Sequence, residues 1–155
     1  MLTANGWSSS LWDNRNRENN RVNDYLGIVE TNLGSSSNYF VSRSISKKIT
    51  LSKAGELTST LTIRFKNNSK KKDNGADYKS YLQLILPESS KITSIQIDKE
   101  IVKIEEAITD PKTYESSNFK APLGLEIEEI NQMGKSIFGF LLLVPEESIK
   151  TVTIS

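Results

Sequence analysis

The sequence has no cysteine and no histidine among its 155 residues. These absences exclude disulfides, thiolate nucleophiles, zinc sites built from cysteine or histidine, and catalytic triads that use an imidazole base. Catalysis is restricted to carboxylate, lysine, serine, threonine and tyrosine side chains, and we expect no cofactor and no metal. The missing cysteines fit a reducing cytosol and also the many bacterial surface domains without disulfides, so they leave the compartment open.

The sequence also lacks a long apolar run. No stretch approaches the roughly 20 apolar residues that span a bilayer, so we expect no membrane insertion by this chain. The first residues, MLTANGWSSSLW, carry no apolar core of a signal peptide. We interpret the chain as a domain excised from a longer protein, with an added Met1.

Neither sign of charge is in large excess, because the formal net charge is +1. Residues 1–80 hold 13 Lys/Arg and 7 Asp/Glu, whereas residues 81–155 hold 7 and 12. Sequence halves interleave in a β fold, so this asymmetry does not by itself create two charged patches. A basic face interleaved with stacking aromatics is missing, and we therefore expect no nucleic-acid binding.

Alternating apolar and polar residues predict a series of β-strands. LTSTLTIRFK (57–66) and YKSYLQLILP (78–87) each present one apolar face, and we predict that they form a hairpin. A second hairpin is predicted around Asp98-Lys99. LGLEIEEI (123–130) predicts a half-exposed strand, and the apolar run at 137–144 predicts a strand buried on both faces. The ending SIKTVTIS supplies a last strand.

Residues 24–31 and 39–51 predict two further strands, joined by the polar stretch NLGSSSN. Small polar residues of this kind occur both in ligand sites and in chain reversals. No phosphate-loop pattern is present, so we interpret the stretch as a corner. The whole pattern predicts an all-β, immunoglobulin-like antiparallel β-sandwich over residues 24–155, preceded by a short irregular or helical N-terminal segment, residues 1–23.

Glu126 and Glu128 are the candidates for catalysis, because they project from one face of a predicted strand as the acid and base groups of a glycosidase do. Polar residues at every second position are also typical of a half-exposed strand, whose outer face contacts solvent. We therefore expect a non-catalytic protein and keep a carboxylate-based hydrolase as the less favoured alternative.

Trp7 and Trp12 are the candidate ligand-binding residues. Together with nearby tyrosines they can form an aromatic platform for sugar rings, although core packing uses the same residues. The loop Asp73–Asp77 offers oxygen ligands to calcium, but the lysines at 70–72 repel a cation, so a solvated loop is favoured. Asn67-Asn68-Ser69 matches a glycosylation sequon, which is a short and common pattern.

Three ordered stretches carry a family resemblance: DYLGIVETNLGSSSNYFVSRSI, then LTSTLTIRFKNNS with YKSYLQLILPESSKI, and finally GKSIFGFLLLVPEESIKTVTIS. From Asp24 onward the chain resembles the C-terminal, β-rich part of a large uncharacterised family of membrane-anchored, extracytoplasmic bacterial proteins. The resemblance implies an extracytoplasmic, envelope-associated location and a larger domain before this one. It implies no reaction and no functional residues.

We therefore expect a structural or interaction module of a bacterial envelope protein, with the parent chain's other domains or a cell-wall component as partner. A carbohydrate- or cell-wall-binding module is the first alternative. A covalent possibility is an intramolecular Lys-Asn cross-link inside the core, because bacterial surface sandwiches sometimes contain one. The sequence does not choose between candidate pairs.

Overall fold

The computed structural model describes residues 24–34, 36–70, 77–114, 119–120 and 122–155, and the predicted N-terminal segment 1–23 lies outside them. The described residues form ten strands, one 3₁₀ helix (Ser36–Phe40) and a single-turn α-helix, α1 (Pro111–Tyr114). The strands are β1 (Gly27–Asn32), β2 (Val41–Leu51), β3 (Leu57–Asn67), β4 (Tyr78–Pro87), β5 (Ile95–Ile97), β6 (Glu100–Val102), β7 (Ile104–Glu106), β8 (Leu125–Gln132), β9 (Lys135–Val144) and β10 (Ile149–Ile154).

The strands form two five-stranded sheets packed face to face, so the prediction of an all-β sandwich is confirmed. The first sheet has the order β1-β4-β9-β8-β7, and the second has the order β2-β3-β10-β5-β6. All pairings are antiparallel except β7 with β8, which run parallel. The immunoglobulin-like subtype stays a prediction.

The core lies between the sheets and consists of the inward residues of β3, β4, β9 and β10. The alternation predicted for β3 and β4 is confirmed: Ile63, Phe65, Leu82 and Leu84 are almost fully buried. Burying large apolar and aromatic side chains is the main stabilising term of such a fold. The inward row of β9 completes the core with Phe138, Phe140, Leu142 and Val144.

The predicted hairpin of β3 and β4 is wrong. Strand β3 pairs with β2 and β10 in the second sheet, whereas β4 pairs with β1 and β9 in the first. Period-two alternation shows that a strand has one buried face but does not identify its partner. Residues 68–77 are long enough to cross the roughly 10 Å between packed sheets.

Other predicted boundaries are close to the structure. Strand β1 starts three residues later than predicted, and the predicted second strand begins with the 3₁₀ helix before β2. The polar stretch 32–38 carries the chain from the first sheet to the second, as the corner interpretation expects. The hairpins β5–β6 and β8–β9 form with two-residue turns at Asp98-Lys99 and Met133-Gly134.

The prediction that the strand at 137–144 is buried on both faces is wrong for its second half. Leu141 is 63% exposed and Leu143 is 46% exposed, while Phe140, Leu142 and Val144 are buried. The strand lies in the middle of a sheet, so its backbone is covered on both edges. Its outer face is nevertheless open at Leu141 and Leu143, which are exposed although Gly139, on the same face, is covered by Tyr81.

The two sides of the sandwich are closed differently. On one side β6 and β7 are separated only by Lys103, so the chain itself passes from the second sheet to the first. On the other side β1 and β2 face each other as edge strands. There Arg43 Nε donates to Glu30 Oε2 at 2.7 Å, and Arg43 Nη2 donates to the Tyr78 hydroxyl at 3.0 Å.

Burial alone would lower the pKa of Arg43, but the hydrogen bonds to Glu30 and Tyr78 outweigh it and raise the pKa above its ordinary value. The guanidinium is therefore charged at any physiological pH. Inward-pointing charges also discourage an edge strand from pairing with another chain.

The turn at Asp98-Lys99 predicts a stabilising substitution. Both residues have positive φ, 52° and 76°, a conformation that costs a lysine but not a glycine. We expect Lys99→Gly to raise the free energy of unfolding by about 0.5–1 kcal/mol in a denaturant titration. Asp98→Gly is the matched control: it removes the carboxylate that accepts from Thr151 N at 2.8 Å, so it should not stabilise. Equal gains from both variants would contradict this explanation.

Among the described residues, no helix is both long and apolar enough to span a bilayer.

Candidate functional site

An uncovered apolar surface lies on the outer face of the first sheet. Inward and outward residues alternate along β4 and β9, and their register places Tyr81 opposite Leu141 and Lys79 opposite Leu143. Val29 lies on the same face, on strand β1, which pairs with β4, and is 40% exposed. We call Val29, Tyr81, Leu141 and Leu143 the apolar strip. Clusters of exposed apolar side chains on a soluble domain mark interaction sites more often than isolated ones do.

The ring of Tyr81 is fixed at the centre of this face. A Cβ placed on Gly139 would overlap the hydroxyl oxygen and the ring edge of Tyr81, so the tyrosine lies across the glycine of the neighbouring strand. The hydroxyl donates a hydrogen bond to Glu128 Oε2 at 2.5 Å, on the next strand along. The hydroxyl end of Tyr81 therefore lies over β9 and reaches β8.

The hydrogen bond makes the ionisation of Tyr81 measurable. Burial comes first and the hydrogen bond to Glu128 second among the causes that raise the pKa of Tyr81 from 10.0 to about 12. Because the pKa of Tyr81 is raised in the folded state, the protonated hydroxyl stabilises the fold. This contribution of Tyr81 to the free energy of unfolding is complete below pH 10 and is lost as the pH rises toward 12.

We expect ultraviolet titration of the folded protein to include a tyrosine transition near pH 12, from Tyr81. Tyr81→Phe should remove this late transition, and Glu128→Gln should move it toward the ordinary value, because the carboxylate no longer opposes a second negative charge. Circular dichroism at each pH establishes that the protein is still folded. A late transition that persists in Tyr81→Phe would contradict the assignment.

The second candidate carboxylate, Glu126, also accepts a hydrogen bond. Its Oε1 accepts the backbone N–H of Ile108 at 3.1 Å, which ties the start of the loop after β7 to β8. Glu126 and Glu128 do project from the same outer face, as the sequence predicted. Each, however, holds a neighbouring part of the fold, and the geometry gives no specific support to an acid–base pair.

The sequon asparagine Asn67 lies in the core. It is 1% exposed, its Nδ2 donates to Val144 O at 3.1 Å, and its Oδ1 accepts from Ser69 N at 3.0 Å. A glycan cannot be attached there in the folded protein. The buried polar side chains among the described residues are this asparagine and four serines, so no lysine lies in the core to form the hypothesised Lys-Asn cross-link.

The candidate calcium loop is only partly described, since residues 73–76 lie outside the described ranges. Asp77 is described, and its Oδ1 accepts the backbone N–H of Glu146 at 3.1 Å, which holds the turn before β10. Within the described ranges, no group of three or more acidic side chains is arranged to hold a metal ion.

A second feature is a cleft of about 640 Å³ at the end of the sandwich where β3 begins and β10 ends. Its walls include apolar residues from both sheets, and the loop 88–93 borders it. At the rim, Lys47 Nζ contacts both carboxylate oxygens of Asp24 at 2.6 Å. The apolar wall residues include Leu26, Leu57, Leu61, Leu84, Leu86 and Ile154.

Sequence reasoning placed its ligand-binding candidates elsewhere. Trp7 and Trp12 lie outside the described residues, so their role stays a prediction. The sequence analysis did not identify Tyr81, although the alternation of the strand indicates its position. Tyr78 and Leu82 are separated by an even number of residues and share the inward face, whereas Tyr81 is at an odd spacing from Tyr78, which predicts an outward side chain. No short sequence pattern indicates the cleft, because its shape depends on how far strands from different sheets extend.

Comparison with known proteins found no match: no family model, no curated protein and no solved structure matches this chain.

Proposed function

We propose that the chain is a non-catalytic interaction module of a bacterial envelope protein, and that its apolar strip packs against another domain of the same parent protein. The observation that carries the proposal is the open outer face of β9, where Leu141 and Leu143 are 63% and 46% exposed in the middle of a sheet. Interface cores are apolar and contain few charges, which matches this strip. The immunoglobulin-like subtype and the extracytoplasmic location belong to the proposal and rest on the sequence resemblance.

Two features favour a protein surface as the partner. The strip consists of branched aliphatic side chains with a single aromatic ring, whereas carbohydrate platforms rely on several aromatic rings. Residues on the same outer face carry charges of both signs, with Lys79 opposite Leu143 and Glu128 opposite Gly139. Mixed charge around an apolar centre is the usual arrangement of a polar rim.

The test is co-sedimentation of the purified protein with isolated bacterial cell envelopes across a salt series. We expect binding that resists salt, because apolar contacts are not screened. Treating the envelopes with a protease should abolish it, and treating them with a muramidase should leave it. Absence of binding, or binding lost at modest salt, would contradict the proposal.

One observation favours a second candidate, a carbohydrate-binding module. The hydroxyl end of Tyr81 is held over Gly139 by its hydrogen bond to Glu128, and a partly exposed tyrosine in a fixed position is the kind of side chain on which a sugar ring stacks. In that case muramidase, and not protease, should abolish sedimentation. Tyr81→Ala should weaken binding more than Leu141→Ser, and soluble wall fragments should compete.

A further inference from the structure

The outer face of the second sheet differs in chemistry from that of the first. Phe65 and Val152 are buried, so the alternate residues of β3 and β10 point outward. The same face continues onto β2, because Ser44 and Thr151 lie opposite Arg64 on its two sides. The structure describes all of β2, β3 and β10, and these three strands contain no aspartate or glutamate. The outer face of these described strands therefore carries no acidic side chain.

Cations and hydroxyl groups make up almost all of this surface. The cations are Lys48, Arg64 and Lys66, and all three are exposed. Nine hydroxyl side chains share the face with them: Ser42, Ser44, Ser46, Thr50, Thr58, Thr60, Thr62, Thr151 and Thr153. The remaining outward residue of the three strands is Ile149, opposite Lys66 at one corner. We call the three cations and nine hydroxyl residues the hydroxyl face.

The cations of the hydroxyl face have no carboxylate within ion-pair distance among the described residues. The inward cations of the same strands do pair: Arg43 with Glu30, Lys47 with Asp24, and Lys150 with Asp98. Unpaired charges of one sign on one surface attract a ligand of the opposite sign. The hydroxyl face is therefore complementary in charge to an anion.

The hydroxyl groups are also available to a ligand. Thr62 Oγ1 and Thr153 Oγ1 lie 3.5 Å apart, and the other hydroxyls of the face make no side-chain hydrogen bond to a described residue. Strand geometry places neighbouring outward side chains about 5–7 Å apart, both along a strand and between strands. A serine or threonine hydroxyl both donates and accepts hydrogen bonds. Such an array matches a ligand that carries hydroxyl groups of its own.

The composition of the hydroxyl face distinguishes between classes of polyanion. No aromatic side chain lies on the outer face of these described strands, so the stacking that single-stranded nucleic acids require is missing. Anionic bilayers are bound by clusters of about 4–8 lysines and arginines, more than the three cations here. A polysaccharide whose sugar residues carry a carboxylate among several hydroxyl groups has the sparse charge and the many hydroxyls that the face complements.

We infer that the hydroxyl face binds a linear acidic polysaccharide, with carboxylates on the cations and sugar hydroxyls on the serine and threonine rows. Arg64 is the central contact, because Ser44 and Thr151 flank it on the two neighbouring strands. Ionic contacts of exposed side chains are screened by salt. This binding is therefore distinguishable from the salt-resistant binding expected of the apolar strip on the opposite side of the sandwich, and the two proposals stand or fail separately.

The first test is titration calorimetry of the purified protein with polygalacturonate, a linear polysaccharide of carboxylated sugars. We expect binding that weakens about tenfold from about 50 mM to about 200 mM salt, as three ionic contacts with a linear polyanion require. The fully methyl-esterified polymer keeps hydroxyls and lacks charge, so it should not bind. Poly-L-glutamate has carboxylates without hydroxyl groups and should bind several-fold more weakly. Equal or tighter binding of poly-L-glutamate or of duplex DNA would overturn the inference.

A variant pair with equal loss of charge tests the location. Arg64→Gln/Lys66→Gln should weaken polygalacturonate binding at least about fivefold, because two of the three ionic contacts are lost. Lys79→Gln/Lys91→Gln removes two exposed lysines from other parts of the fold and should leave binding within about twofold of the wild type. Circular dichroism establishes that both variants fold. Equal losses would assign the binding to net charge and overturn the inference.

The hydroxyl contacts have a test of their own. Ser44→Ala/Thr151→Val removes the two hydroxyls opposite Arg64 and leaves every charge in place. We expect binding about threefold weaker at both salt concentrations, because neutral hydrogen bonds are not screened. Two further results would overturn the inference: no polygalacturonate binding by the wild type at low salt, and unchanged binding by this folded variant.

Discussion

Replacing Asn67 with alanine is expected to lower the free energy of unfolding by about 2–4 kcal/mol. The substitution removes the side chain that donates to Val144 O and accepts from Ser69 N, both at the end of the core. Two backbone groups then lose these hydrogen bonds, and a cavity replaces a side chain that is 1% exposed. A denaturant titration followed by circular dichroism measures the loss.

Asn68→Ala is the matched control. Asn68 is adjacent and also hydrogen-bonds a backbone carbonyl, from Nδ2 to Phe40 O at 3.2 Å, but its side chain is exposed. Water can replace that bond, so we expect a cost below about 1 kcal/mol. Equal costs for the two variants would contradict a structural role specific to Asn67. Expression in a glycosylating host should leave Asn67 unmodified.

Gly139→Ala is expected to lower the free energy of unfolding by about 1–3 kcal/mol, as overpacking typically does. The new methyl group would occupy the place of the Tyr81 hydroxyl and ring edge. Either the ring leaves and its hydrogen bond to Glu128 is lost, or the strands β4 and β9 shift apart. Thermal or denaturant unfolding measures the change.

A double-mutant cycle isolates this contact. In a Tyr81→Ala background the space above Gly139 is empty, so Gly139→Ala should be nearly neutral or stabilising, because alanine loses less conformational entropy in a strand than glycine. The two effects should therefore be strongly non-additive. Additive effects would show that Tyr81 does not rest on Gly139.

The sequence predicted the strands well, because each one carries its own alternation. Residues 78–87 were placed with the bounds that β4 has, and the inward residues of β3 are those expected. It did not predict how strands pair, since β3 and β4 show the same local pattern whether they lie in one sheet or two. Pairing is decided by long-range packing, which no short window contains.

The candidate site was harder to predict for a related reason. The apolar run ending in Leu141-Leu142-Leu143 was interpreted as buried on both faces, because neighbours on the outer face cannot be counted from the sequence. Glu126 and Glu128 were correctly placed on one face, but their partners Ile108 and Tyr81 come from distant parts of the chain. A short window shows side chains that share a face, and it does not show what they bind.

The central claim is that the apolar strip is the interaction surface. The most direct measurement is envelope co-sedimentation of Leu141→Ser/Leu143→Ser beside Thr60→Ser/Thr62→Ser, a matched pair on the outer face of the second sheet. We expect at least about a tenfold loss of binding for the first pair, or about 1.4 kcal/mol, and no change for the second. Equal binding by both, with both folded, would contradict the claim.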